Sequence, residues 1–118
     1  MKSFYTAIIL EHPQTQYVLV GNTATFHCKT LGQDAFWSIN ERTISETHLD
    51  IKREFESLGF TFIDSTHGTW GYHNLTINAR ASERSNSTKI ECTIVDRNFF
   101  QIGSNIAYLY VFTDLRKY

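Results

Sequence analysis

Short runs in which apolar and polar residues alternate account for most of the chain. In each run every second residue is apolar, as in a β-strand with one buried face. Two apolar runs, 6–10 and 17–20, come first, and the alternating runs are 23–29, 35–39, 59–63, 75–79, 90–94 and 107–111. Breaks that contain glycine or asparagine separate these runs. Seven or more short strands at this spacing predict an all-β sandwich or barrel.

One segment departs from this alternation. Residues 45–58 (SETHLDIKREFESL) place Ile51, Phe55 and Leu58 at i, i+4 and i+7, and Gly59 follows as a candidate C-cap. A short helix and an irregular edge both fit the segment. We favour irregular edge strands with one helical turn at most.

Length and composition narrow the class of protein. The chain has 118 residues, the size of one domain with a real core, and its net charge is −1. No basic stripe predicts nucleic-acid binding, and a single proline argues against disorder. No run has the length of a membrane helix, and the apolar start is too short for a signal peptide. We expect any signal or membrane anchor to lie outside this sequence.

The polar residues form no recognisable catalytic or metal motif. The five histidines are scattered, and neither cysteine nor carboxylate accompanies His67 and His73 at metal-ligand spacing. Nucleophile elbows, phosphate loops and paired dinucleotide glycines are absent from the sequence. We therefore predict no catalytic residue, no metal and no cofactor, and we do not expect an enzyme.

The two cysteines lie in different predicted strands. Cys28 and Cys92 each lie on the apolar face, so they can form a disulfide between packed sheets or remain as two buried thiols. Trp37 follows in the strand after Cys28. The order Cys, Trp in the next strand, and Cys near the end is the pattern of immunoglobulin domains.

Five stretches extend this pattern over nearly the whole chain. They are similar to strands of the immunoglobulin superfamily: VLVGNTATFHC to A′ and B, FWSIN to C, NLTINA to E, NSTKIEC to the E–F corner and F, and GSNIAYLYV to G. The resemblance implies a single domain over residues 1–118, part of a larger receptor, with an immunoglobulin-like antiparallel Greek-key sandwich of two sheets. It also implies a Cys28–Cys92 disulfide, with a core that includes Trp37, Phe26, Leu75, Ile77, Ile90 and Leu109.

Several departures separate the chain from antibody variable domains. Ile90 stands where the tyrosine corner has Tyr, Asn86 replaces the usual Asp of the E–F turn, and Gly103 alone is left of the strand G glycine motif. The 37 residues between Trp37 and Leu75 leave room for strands C′, D and C″. The resemblance is therefore to a variable-like or intermediate-set domain.

Two sequons indicate N-glycosylation. Asn74-Leu75-Thr76 and Asn86-Ser87-Thr88 both match the acceptor pattern. Asn86 lies in an expected exposed turn, whereas Asn74 precedes an inward Leu75. Both are candidate glycan sites, with Asn86 the better.

One sheet face is expected to bind a partner. If Trp37 and Cys92 point inward, the outer face of strands C, F and G carries apolar side chains where a solvated face should be polar: Phe36, Val95, Ile106, Tyr108 and Tyr110. Phe99 and Phe100 at the F–G loop are a second candidate contact. Two alternatives stay open, because residues 45–58 could cover this face and a one-residue bulge in strand G could turn the tyrosines inward.

The resemblance predicts an extracellular protein-recognition domain of an animal cell-surface receptor, in adhesion or in self/non-self and immune recognition. The partner would be a protein on another cell or a second copy of the chain, with N-glycans attached and no nucleic acid. The protein would be on the cell surface or secreted. Alternatives are a structural spacer, or a secreted carbohydrate- or microbe-binding module with a site at Trp70, His67 and His73.

Overall fold

This computed structural model describes residues 7–45, 47–67 and 71–113, and these residues form ten strands and one α-helix. The helix α1 spans Leu49–Ser57, and a 3₁₀ turn spans Glu83–Ser85. The strands are β1 Ile8–Glu11, β2 Gln16–Leu19, β3 Thr23–Leu31, β4 Asp34–Ile39, β5 Arg42–Ile44, β6 Phe60–His67, β7 Tyr72–Arg80, β8 Thr88–Val95, β9 Gln101–Gly103 and β10 Ala107–Phe112.

These strands form two packed sheets. The first has the order β1-β3-β7-β6, and the second has the order β2-β10-β8-β4-β5 with β9 also paired to β8. Every pairing is antiparallel except that of β2 with β10, which is parallel. In immunoglobulin lettering the sheets are ABED and A′GFCC′. The predicted two-sheet sandwich is confirmed.

The core lies between the sheets and surrounds a disulfide. Cys28 and Cys92 are bonded, with 6.4 Å between their Cα atoms and a sequence separation of 64. Trp37 pairs directly with Cys92 across β4 and β8, and its side chain is 4% exposed. The remaining residues expected in the core are also buried: Phe26, Leu75, Ile77, Ile90 and Leu109.

The preference for irregular edge strands over residues 45–58 was wrong, because α1 occupies this segment. Phe55 is 4% exposed and packs edge-to-face on Phe60, with ring centroids 5.9 Å apart. Ile51 and Leu58 also pack against the core, so the i, i+4, i+7 stripe faces inward. The helix ends at Ser57, and Gly59 follows its C-cap residue Leu58 with a φ of +102°, which disfavours any residue with a side chain.

The position of α1 leaves the outer face of the second sheet open. The helix contacts β5 and β6, and it therefore closes one side of the sandwich between the two sheets. Its apolar stripe is used against the core. The sequence alternative in which this segment folds over the C, F and G strands is not what the structure shows. Among the described residues, no helix is both long and apolar enough to cross a bilayer.

A bulge does interrupt strand G, but it lies before the tyrosines. β8 pairs Thr93 with Gly103 and then Ile90 with Ala107, so the register changes by one residue between β9 and β10. The buried Ser104 fixes the bulge, because its Oγ accepts a hydrogen bond from the backbone N–H of Cys92 at 2.9 Å. Ala107 and Leu109 take the inward positions of β10, and the tyrosines face outward.

Candidate functional site

Four aromatic side chains form a continuous strip on the outer face of the second sheet. The parallel pairing of β2 with β10 places Tyr17 beside Tyr110. Ring centroids are 5.4 Å apart for Tyr17 and Tyr110, 5.6 Å for Tyr108 and Tyr110, and 6.2 Å for Tyr17 and Phe112, all in stacked arrangements. We call these four residues the aromatic strip.

Strand alternation puts the strip on the solvent side. In β10 the inward positions are Ala107, Leu109 and Val111, so the intervening residues must face outward. Tyr17 is 66% exposed and Phe112 is 50% exposed. Tyr108 and Tyr110 are half-buried, and the backbone N–H of Tyr108 donates to Thr15 Oγ1 at 3.1 Å. The strip is therefore held in place by its own stacking and by the edge strand.

The residues that the sequence predicted to form one partner face are separated from one another in the structure. Phe36 and Val95 do occupy outward positions on β4 and β8, and both are half-buried. The other outward positions of β8 are polar, and β8 lies between β4 and β10. Phe36 is therefore on one side of a polar row and the strip is on the other, rather than in one apolar patch. The polar row consists of Lys89, Glu91 and Thr93.

Lys89 of the polar row is paired with two carboxylates, one outside the row and one within it. Lys89 Nζ lies 3.0 Å from Glu41 Oε2 and 3.9 Å from Glu91 Oε1. The hydrogen bond to Glu41 raises the pKa of Lys89 above its ordinary value, and the charges of Glu41 and Glu91 add to this effect against some desolvation. The row beside the strip therefore carries both signs of charge.

The F–G loop presents two further aromatic rings. The carboxylate of Asp96 accepts hydrogen bonds from the backbone N–H groups of Asn98 and Phe100, at 2.8 and 2.9 Å. This turn leaves Phe99 79% exposed and Phe100 68% exposed, and Phe99 has a φ of +66°. Ile106, which is 47% exposed, lies at the bulge. None of these three residues belongs to the aromatic strip.

The two sequons have different surroundings. Asn86 is exposed at the end of the 3₁₀ turn, and its Oδ1 accepts a hydrogen bond from the backbone N–H of Val111 at 2.8 Å. Asn74 lies in β7 between Lys29 and Ser65, in the interior of the first sheet. Its Oδ1 is enclosed and has no hydrogen-bond partner among the residues that the structure describes.

The alternative loop-end site falls mostly outside the described residues. Trp70 and the side chain of His67 lie outside them. His73 is half-buried in β7, and its Nε2 is enclosed without a hydrogen-bond partner in the described part of the chain. Within residues 7–45, 47–67 and 71–113 no group of three or more side chains is placed to hold a metal ion.

Sequence reasoning missed Tyr17 and included Tyr108 and Tyr110. Tyr17 and Leu19 alternate in the sequence, which could have shown that both face one side of a strand. The sequence does not show that this strand runs parallel to β10, because the pairing joins segments more than 90 residues apart. The strip is thus a product of strand order.

Comparisons with known proteins rest on structure. No protein-family model and no curated protein matches the chain. Its structure is similar to the crystal structure of Duf (Kirre) D1, with a TM-score of 0.66, 17% sequence identity, 92% of this chain and 99% of that chain covered. It is similar to Rst D1-D2, with a TM-score of 0.63, 18% identity, and 91% and 49% covered.

A third similar structure is the Down Syndrome Cell Adhesion Molecule with its N-terminal eight Ig domains. The TM-score is 0.64, the identity is 11%, and 91% of this chain and 12% of that chain are covered. The present chain thus spans about half of the Rst structure and about an eighth of the adhesion-molecule structure. Together with the two sheets and the buried disulfide, these likenesses show that the chain has the immunoglobulin fold.

Proposed function

We propose that the chain is an extracellular recognition domain of a cell-surface receptor, and that it binds another protein through the aromatic strip. The observation that carries this proposal is the exposure of stacked aromatic rings on a sheet face. A solvated outer face of an antiparallel sheet is ordinarily polar. An apolar patch with a polar rim is typical of a protein-binding surface.

The chemistry of the strip suits recognition. Tyrosine supplies a large apolar area with few rotatable bonds, so little conformational entropy is lost when it is buried against a partner. The stacking of Tyr17, Tyr108 and Tyr110 holds the rings in place before binding. The charged row of Lys89 and Glu91 beside them would supply a polar rim that favours one orientation of the partner.

The proposed extracellular location is supported by the disulfide and by the similar structures. A buried disulfide that joins two sheets suits an oxidising compartment outside the cell. One similar structure is named a cell adhesion molecule. These likenesses support adhesion or immune recognition as the setting, with the chain as one domain of a larger receptor.

The partner is a protein on another cell, and a second copy of the chain is one candidate. A surface strip can be self-complementary about a two-fold axis, which would give a homophilic dimer. Phe36 lies across the polar row, Val95 lies at the end of that row, and Phe99, Phe100 and Ile106 lie towards the F–G end. In this proposal they extend the contact beyond its centre.

A bead-binding assay tests the proposal. The domain is coupled to beads and screened against itself and against a panel of extracellular domains, as wild type, as Tyr17→Ser and as Ile63→Ser. Ile63 is the matched control, because it is 48% exposed on the outer face of the other sheet. We expect binding that Tyr17→Ser reduces at least tenfold and Ile63→Ser leaves unchanged. Binding that tolerates Tyr17→Ser, or no binding at all, would contradict the proposal and favour the spacer function.

A further inference from the structure

A groove lies at the end of the sandwich beside the better sequon. Its volume is about 630 Å³, and it lies where β2 and β10 end next to the 3₁₀ turn. Sites for small ligands have volumes of about 300–1,000 Å³ and combine apolar walls with a few polar groups. This groove has that mixture, since it is lined by Leu19, Glu83, Asn86, Val111, Phe112 and Thr113.

The apolar wall of the groove is exposed and ordered. Phe112 pairs with Leu19 across β10 and β2, and the two side chains are 50% and 49% exposed. The backbone continues this pairing, because the N–H of Val20 donates to the carbonyl of Phe112 at 2.9 Å. Two neighbouring apolar side chains therefore form a fixed surface, and within the described residues nothing covers it fully.

Asn86 is held against β10 by its side-chain oxygen. The backbone N–H of Val111 can only donate, so the atom that accepts from it is Oδ1. The backbone N–H of Ser87 also donates, to the carbonyl of Leu109 at 2.7 Å, which fastens the turn to the same strand. No described residue accepts a hydrogen bond from Nδ2. The amide is therefore fixed through one atom, while the atom that carries a glycan is left available.

Glycosylation preserves this arrangement. The reaction forms a bond between Asn86 Nδ2 and C1 of the sugar, breaks the bond from C1 to the pyrophosphate of a lipid-linked oligosaccharide donor, and releases a proton from Nδ2. Oδ1 keeps its lone pairs, so the hydrogen bond from Val111 persists in the product. The first sugar is then tethered to a residue that lines the groove.

We propose that an N-linked glycan occupies Asn86 and that its first N-acetylglucosamine lies in this groove against Phe112 and Leu19. One face of the sugar ring is largely apolar C–H surface, which suits the ring of Phe112 and the side chain of Leu19. The carboxylate of Glu83 and the hydroxyl of Thr113 can exchange hydrogen bonds with the polar groups at the sugar's rim. This inference requires no protein partner, but it shares Phe112 with the aromatic strip, so the sugar would lie at the edge of the proposed contact and leave Tyr17, Tyr108 and Tyr110 open.

The other sequon, at Asn74, provides a comparison within the same chain. Asn74 lies in β7 with strands on both sides, and its Oδ1 is enclosed rather than hydrogen-bonded to a neighbouring strand. Asn74 does not line the groove at Asn86. A glycan at Asn74 would therefore not share the contacts with Phe112 and Leu19, and we expect no comparable stabilisation from it.

The test uses protein secreted from cells that attach N-glycans. Peptide mass mapping measures occupancy at both sequons, and an endoglycosidase then trims each glycan to one sugar. We expect occupancy at Asn86, and a Tm about 2–5 °C higher for the trimmed protein than for the same sequence produced without N-glycans in a bacterial periplasm, where Asn86 keeps its hydrogen bond from Val111. The same comparison on a Phe112→Ser background should show little or no difference. Asn74→Gln is the control, with no comparable change in Tm.

A second measurement requires no substitution. Proton NMR of the trimmed protein should show contacts between the Asn86-linked sugar and the ring of Phe112, with ring-current shifts of the sugar protons. An unmodified Asn86 in secreted protein would overturn the inference. So would a sugar without contacts to Phe112, or a stabilisation that persists unchanged in Phe112→Ser.

Discussion

The outer faces of the two sheets follow the same alternation and have opposite chemistry. On the first sheet, β3 and β7 present polar pairs that bond each other across the strands. Thr25 Oγ1 donates to Asn78 Oδ1 at 2.8 Å, and Thr76 Oγ1 lies 3.2 Å from His27 Nδ1. On the second sheet, β2 and β10 present the aromatic strip.

The difference in chemistry determines how much free energy each face would gain on burial against a partner. Side chains of the polar pairs satisfy one another, so burying them against a partner would gain little and would cost their hydration. Rings of the strip stack on one another but leave apolar area in water, and burying that area is favourable by about 25 cal/mol per Å². The polar pairs of β3 and β7 are satisfied in the isolated domain, although Ile63 in the same sheet is 48% exposed, whereas the strip would be stabilised further by a partner.

The largest expected effect comes from removing the disulfide that joins the two sheets. Replacing Cys28 and Cys92 together by Ala should lower the free energy of unfolding by about 4 kcal/mol, because the bond closes a 64-residue loop. Chemical denaturation of the two proteins measures the difference. A loss of less than about 1 kcal/mol would show that the disulfide contributes little beyond its packing.

The next largest effect is on affinity for the partner, and it distinguishes the outer faces of the two sheets. Tyr110→Ser removes the ring that stacks on both Tyr17 and Tyr108, so affinity for the partner found in the bead assay should fall at least tenfold, which is about 1.4 kcal/mol or more. Surface plasmon resonance measures the change, with Ile63→Ser as the matched substitution on the other face. Equal losses from both variants would remove the distinction between the faces.

A smaller effect is expected on the polar face. Thr25→Val keeps the shape of the side chain and removes the hydrogen bond to Asn78, so the free energy of unfolding should fall by about 1 kcal/mol. Partner affinity should not change. If binding weakened while stability held, the polar face would be part of the contact.

The smallest effect concerns the charged row beside the strip. The pKa of Lys89 is raised mainly by its hydrogen bond to Glu41. The ion pair of Lys89 with Glu41 therefore stabilises the fold at neutral pH, and this stabilisation is lost only as the pH rises through the raised pKa. NMR titration of Lys89 should give a pKa above the ordinary value of about 10.4, and Glu41→Gln should lower it. An unchanged pKa in Glu41→Gln would show that this pair does not form in solution.

Local pattern was enough to predict the core and eight of the ten described strands, but not the three-residue strands β5 and β9, which are too short to show alternation. Alternation over a few residues identifies the inward side of each strand, and Trp37, Ile77 and Leu109 are buried accordingly. The helix α1 was harder, because a stripe of Ile51, Phe55 and Leu58 is too short to exclude an irregular edge. Packing of Phe55 on Phe60, which lies in the next strand, decides the conformation.

Non-local pairing explains what the sequence could not predict at the site. Tyr17 joins the strip only because β2 runs parallel to β10, and Phe36 is kept from it only because β8 lies between β4 and β10. The alternation of β10 held because the bulge at Ser104 comes before Tyr108. Each of these facts depends on strand order or register, which a single strand's pattern does not contain.

Hydroxyl-radical footprinting of the domain, free and bound to the partner from the bead assay, measures directly whether the aromatic strip is the contact surface. Tyr17 is 66% exposed and Ile63 is 48% exposed, so both are open to oxidation in the free domain. We predict that binding lowers oxidation of Tyr17 and Tyr110 several-fold and leaves Ile63 unchanged. Protection of Ile63, with the strip as reactive as before, would contradict the account.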